Sequence, residues 1–215
     1  MMMRIPILPM TSDADNEILV GRVYFDVLTP KMKGETTKLV RGKVKASEEP
    51  EDRPIALVMD VKGLQRRNLN DVLLKRLRIR GTSVWFLTNI ESVDDVFDAF
   101  NTDAEAVLVP THTVRSEGEF EDILDVSDSV MPVLFVRKRN AVYLGKSMDY
   151  RKVIDAVRSL GYSNAAVFDL DDSIPEEDWP SLMERCEIIP CSFSGKISAE
   201  RFEEMGFGTC FTVPE

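Results

Sequence analysis

The chain has 215 residues, of which 44% are hydrophobic and 30% charged, enough for one substantial core and typical of a soluble globular protein. It reads as one domain over residues 1–215, with 11–52 set apart as an irregular, β-rich insertion containing a mobile loop. A formal net charge of −10 excludes nucleic acid and an anionic membrane surface as main partners, because both repel such a surface at long range.

Arg4–Met10 is a short apolar run that reads as a first strand, against the sense of Pro6 and Pro9. After a polar turn, Glu17–Leu28 is rich in β-formers, and Thr29–Asp52 reads as strand fragments and loop. Ile55–Asp60 is the next strand. Asn68–Arg80 is a helix with Leu69, Val72, Leu73 and Leu77 on its apolar side and Gly81 as its cap. Val84–Leu87 is a strand too brief to be a helix. Ser92 then caps a helix whose first turn holds Asp94 and Asp95, where the helix dipole favours negative charge. Val93, Val96, Phe97 and Phe100 recur at helical spacing, and Ala106–Val109 is the following strand.

A helix starts at Ser116 or Gly118. Val130–Val136 is a strand, and Ala141–Leu144 adds a hairpin arm. Asp149–Leu160 is a helix, Asn164–Asp169 a strand, and Pro175–Arg185 a helix with proline in its first turn. Ile188–Cys191 is a strand, Ser198 caps a helix to Met205, and Thr209–Val213 is the last strand. Strand and helix therefore alternate from Ile55 onward, which predicts a parallel sheet covered by helices. The reading is an α/β protein of the (βα)8 TIM-barrel type, lacking a clear first helix and the last helix. The strip of sheet wall this leaves without helix cover must be covered by residues 17–52 or by a second subunit, and a homo-oligomer is expected.

Cys186, Cys191 and Cys210 are too few and too unevenly spaced for a disulfide framework, and no CxxC occurs; a reduced, cytoplasmic chain follows. No leader peptide opens the sequence and no apolar run approaches about 18 residues, so neither secretion nor a membrane span is expected. One histidine and scattered thiols predict no metal site. No phosphate loop, dinucleotide glycine pattern or nucleophile elbow supports a cofactor or those chemistries.

Ala56–Asp60 matches Ala165–Asp169, Ser92 matches Ser198, and Val107–Pro110 matches Phe211–Pro214, at offsets of 109, 106 and 104 residues, as in two related halves. Val58-Met59-Asp60, Thr88-Asn89-Ile90-Glu91-Ser92-Val93-Asp94-Asp95-Val96 and Val109-Pro110-Thr111 form the first copy. Phe168-Asp169-Leu170-Asp171, Ser194-Gly195-Lys196-Ile197 and Val213-Pro214-Glu215 form the second. This pattern resembles the HisA/HisF family, the phosphoribosyl isomerase and cyclase barrels of histidine biosynthesis. The resemblance implies a barrel acting on a small phosphorylated metabolite, with an Asp ending strand one and an Asp ending strand five as general acid and base. Pro9 or Met10 stands at the first of those positions and Arg137 at the second, and none of these is a base at neutral pH. Pro110 and Pro214 also remove backbone donors where phosphate would be held.

Functional side chains of such a fold belong at strand C-terminal ends. His112, Asp60 and Asp169 are the candidate catalytic groups. Arg137, Arg139, Thr88, Asn89, Thr111, Ser194 and Gly195 are the candidate ligand or phosphate contacts. Two functions follow. One is a barrel that has lost isomerase chemistry and serves as a binding, regulatory or assembly protein. The other is an isomerase or related enzyme on a small phosphorylated sugar or nucleotide-like metabolite.

Overall fold

The computed structural model describes residues 2–39, 53–79 and 81–213. Twelve strands are β1 (Met3–Ser12), β2 (Ile18–Asp26), β3 (Thr29–Lys38), β4 (Ile55–Asp60), β5 (Ser83–Leu87), β6 (Ala106–Pro110), β7 (Val130–Val136), β8 (Asn140–Tyr143), β9 (Lys146–Asp149), β10 (Asn164–Asp169), β11 (Glu187–Ser192) and β12 (Thr209–Thr212). Seven short helices join them: α1 (Val61–Arg66), α2 (Asp71–Arg76), α3 (Val93–Phe100), α4 (Glu117–Val126), α5 (Tyr150–Ser159), α6 (Trp179–Met183) and α7 (Ala199–Glu204).

The expected (βα)8 barrel is corrected. The chain forms a ten-stranded, mostly parallel sheet in the order β11-β10-β7-β6-β5-β4-β1-β2-β3, with β12 paired to the other side of β1. Among the described residues no backbone ladder joins β11 to β12, and the seven helices are each ten residues or fewer. The physical reason lies after β1. There the chain turns back as an antiparallel ribbon instead of a helix: Met10, Thr11 and Ser12 pair with Val20, Leu19 and Ile18, and β2 pairs along β3. Alternation of strand and helix predicts parallel neighbours, and it found them, but it fixes neither ring closure nor how many strands join the sheet.

β1 holds three partners in sequence. Met3–Pro6 pair with β12, Ile7–Met10 with β4, and its last three residues with β2. Pro6 thus falls where the strand changes partner, a place where a missing donor is tolerated. The central strands are near-continuous apolar runs, as two-sided burial requires. Val130–Val136 is buried at every position. Alternate residues separate into two cores. Val58, Phe86, Val109, Leu134 and Val167 pack under the helices, whereas Ile7, Leu57, Leu87, Leu108, Phe135, Phe168, Cys191 and Phe211 pack against one another on the opposite face. That second face is concave. Phe211 on β12 meets Phe168 on β10 at 5.4 Å and Trp85 on β5 at 6.1 Å, so strands distant in the sheet order touch across it.

The insertion contains β2 and β3, and residues 40–52 of it lie outside the described residues, as do Arg80, Pro214 and Glu215. The helix expected at Asn68–Arg80 is six residues long, and α1 precedes it, starting directly after β4. The serine caps read at Ser92 and Ser198 stand, Ser92 making a capping box with Asp95 and Ser198 accepting from the Arg201 amide; of the two starts left open for the third helix, Ser116 is the cap, accepting from the Glu119 amide. The helix expected from Pro175 begins as a 3-10 turn at Glu176–Asp178 and becomes α6. Among the described residues, no helix is long and apolar enough to cross a membrane.

Candidate functional site

Side chains alternate faces along a strand, so position within each strand end decides what a polar residue can reach. Asp60 lies two residues beyond Val58 and Thr88 two beyond Phe86; Thr111 and Asp169 stand in the same relation to Val109 and Val167. All four therefore belong to the helix-covered face.

Asp60 is fully buried. It accepts from the Gly63 amide at 2.9 Å, from Thr88 Oγ1 at 2.7 Å and from Asn70 Nδ2 at 3.3 Å. Burial pushes its carboxyl up, and these three donors pull it back down. The arrangement caps α1 and ties its turn to β5 and to the start of α2. Thr111 Oγ1 donates to the Val142 carbonyl at 2.8 Å, holding β8 against β6.

Asp169 repeats the role of Asp60 on another strand. It accepts from the Ser173 amide at 3.0 Å and the Ile174 amide at 2.9 Å, and burial again raises its carboxyl against those bonds. Three strands, β5, β6 and β7, lie between β4 and β10 in the sheet, and no hydrogen bond links Asp60 to Asp169. Arg139 pairs with Asp178 at 2.9 Å, and Tyr150 donates to the same carboxylate oxygen. Ser194 donates to Asp172, as does Ser192, and Gly195 closes that turn with φ +75°, a conformation glycine adopts freely.

The concave side is built differently. Asn89 shares the face of Leu87, and Arg137 that of Phe135. The His112 ring lies 5.1 Å from Phe135. Asn89 is 3% exposed; its Nδ2 donates to Glu91 at 3.4 Å, but among the described residues its Oδ1 has no partner. His112 Nδ1 is likewise buried and unpartnered. Burial, with a smaller contribution from the charge of Arg67, pushes His112 down to about 4, so the ring is neutral at pH 7. Arg137 donates to the Val27 carbonyl at 3.4 Å.

The β2–β3 ribbon covers this end of the concave face. Val23, Phe25, Leu28 and Met32 join the concave core, and α1 adds Val61 and Leu64. Phe25 stands edge-on to Phe135 at 5.2 Å and to Phe193 at 4.9 Å. Composition alone marks this segment as β-formers. The signal was in its period-two pattern, with Val23 and Phe25 half-buried between exposed Arg22, Tyr24 and Asp26.

The structure therefore brings Asn89, His112 and Arg137 to one end of the concave face. It leaves Asp60, Thr88, Thr111 and Asp169 on the other face and Arg139, Ser194 and Gly195 in loop contacts. Two clefts of about 240 and 340 Å³ share Lys62 and Arg66 of α1, with Asn68, Asn70 and Asp71 lining one and Ser12 and Asp13 the other. Among the described residues no three or more His, Cys, Asp or Glu side chains are arranged to hold a metal ion. The chain matches no protein-family model and no curated protein.

Proposed function

We propose that the protein is a binding or regulatory protein, not a proton-transfer isomerase. The observation that carries this reading is the placement of its two buried carboxylates. Asp60 and Asp169 face the helices, and each is occupied by donors of its own loop. General acid–base catalysis needs two titratable groups within hydrogen-bond reach of one substrate, and neither carboxylate has that access. A second reading, an isomerase or related enzyme on a small phosphorylated sugar or nucleotide-like metabolite, draws its support from Arg137 and the neutral His112 sharing the concave end.

Incubation with phosphoribosyl compounds, followed by chromatography of the products, tests this. No conversion is expected from the wild type. Turnover that disappears in both Asp60→Asn and Asp169→Asn would overturn the reading, provided both variants melt cooperatively. Turnover lost only in His112→Gln would favour the second reading.

A further inference from the structure

Two buried acceptor-capable atoms, Asn89 Oδ1 and His112 Nδ1, have no hydrogen-bond partner among the described residues, and both lie at the C-terminal ends of adjoining parallel strands. Buried polar atoms are almost always satisfied, so this pair of orphaned acceptors marks where a donor from outside the chain would bind. Ligands of parallel α/β sheets bind beyond the carboxyl ends of the strands, which is where both atoms sit. The surroundings limit what that partner can be. Phe25, Phe135 and Phe193 supply apolar faces and edges, and ring pairs there are already edge-on. Arg137 supplies one cation, and among the described residues its guanidinium makes one hydrogen bond, a 3.4 Å contact to a turn carbonyl in an exposed setting. Asp26, on the same turn, is paired with Lys31 at 2.7 Å and feels the charge of Arg137 more weakly, and His112 is neutral, so Arg137 is the cation this end offers to one negative charge.

The cover has the construction of a flap. Its base is fixed by the β1–β2 ladder from Met10 to Ser12. The β2–β3 register then shifts between Val20 and Arg22, around Gly21, a bulge that lets a ribbon bend. Beyond the bulge, the tip is tied down by the Arg137 contact and the Phe25 rings.

We infer that the concave end beneath the β2–β3 ribbon is a binding site for a small aromatic monocarboxylate carrying a hydroxyl group. The carboxylate takes the place of the Val27 carbonyl on Arg137, a planar fork suited to it. The ring lies among Phe25, Phe135 and Phe193, and the hydroxyl donates to Asn89 Oδ1 or His112 Nδ1. The inference deepens the binding-protein reading and rests on it.

The test is a titration of the full-length, ¹⁵N-labelled protein followed by amide shifts, with 4-hydroxybenzoate, benzoate and inorganic phosphate as probes. 4-Hydroxybenzoate is expected to give saturable shifts confined to Asn89, His112, Arg137 and the ribbon. Its affinity should fall about tenfold in Arg137→Ala and recover partly in Arg137→Lys. Benzoate should bind more weakly, and Asn89→Leu should narrow that difference. Absence of saturable shifts at millimolar probe, shifts centred elsewhere, or equal binding of phosphate would each overturn the site or its ligand class. The same samples report turnover. New product signals with binding intact would sink the non-catalytic reading and leave the site; no binding and no turnover would do the reverse.

Discussion

A methyl group on Gly63 would collide with the Asp60 carboxylate and lie 2.9 Å from Thr88 Oγ1. The glycine is needed there for space, since its amide must approach the carboxylate that caps α1. Gly63→Ala is expected to destabilise the fold by roughly 2 kcal/mol or more, about 4–8 °C in Tm. An unchanged melting temperature would mean that the Asp60 contacts contribute little. His112 makes a second prediction. In the unfolded chain it titrates near 6.5, and in the folded protein near 4, so between those values only the unfolded state takes up its proton. Stability should therefore fall as pH drops through that window and be indifferent to this residue above it. His112→Gln removes the effect. Compared by urea unfolding at pH 7 and pH 4, the variant should lose less stability than the wild type by about 1–3 kcal/mol. The raised carboxylates Asp60 and Asp169 act in the opposite sense but are common to both proteins and cancel in the comparison. Parallel losses in the two proteins would show that His112 is solvated.

Among the elements, the β2–β3 ribbon stands apart from the central strands. β10 pairs on both sides and is buried over nearly its whole length, whereas β3 is the sheet's edge, and its residues from Glu35 to Lys38 are exposed. Lys31, Lys33 and Lys38 mark that edge, as charges do on strands that must not recruit others. Phe25→Ala removes two edge-on ring pairs worth about 0.5–1.5 kcal/mol each. Amide exchange of β2 and β3 beyond the Gly21 bulge should then quicken while β6, β7 and β10 keep their protection. Uniform quickening across the sheet would show that the ribbon is part of the cooperative core. The helix ends were legible locally, because Ser92, Ser116 and Ser198 satisfy backbone donors within a few residues. α1 was not, since Val61–Arg66 carries too few turns for a periodic apolar face; its boundaries depend on Asp60 and Asn70 meeting in space.

At the scale of the whole molecule, the outward side of β1 near β12 presents Arg4 and Pro6 to solvent, and Arg4 pairs with Glu200 at 2.8 Å. The expectation of a homo-oligomer rested on a strip of sheet wall left without a covering helix, and the Arg4–Glu200 pair lies on this side. Self-association through it should be weak and salt-sensitive, which sedimentation at micromolar protein in low and high salt reads directly. A dimer indifferent to salt would require an apolar interface elsewhere. The order of strands and helices apart from α1 and β9, the parallel pairing of β4 to β7 and the caps at Ser92 and Ser198 were decided by the sequence itself, through contacts between residues near in the chain and through two-sided apolar runs. Its resemblance to a two-half barrel rested on the same local patterns and led past them to ring closure and a catalytic pair. Only the tertiary structure decided that ten strands share one sheet, that the ribbon covers the concave end, and that Asp60 and Asp169 face the helices while Asn89, His112 and Arg137 do not. The reason is the two-residue period of a strand. A single step in register exchanges the faces, and which face is concave depends on contacts such as Phe168 with Phe211 between residues far apart in sequence.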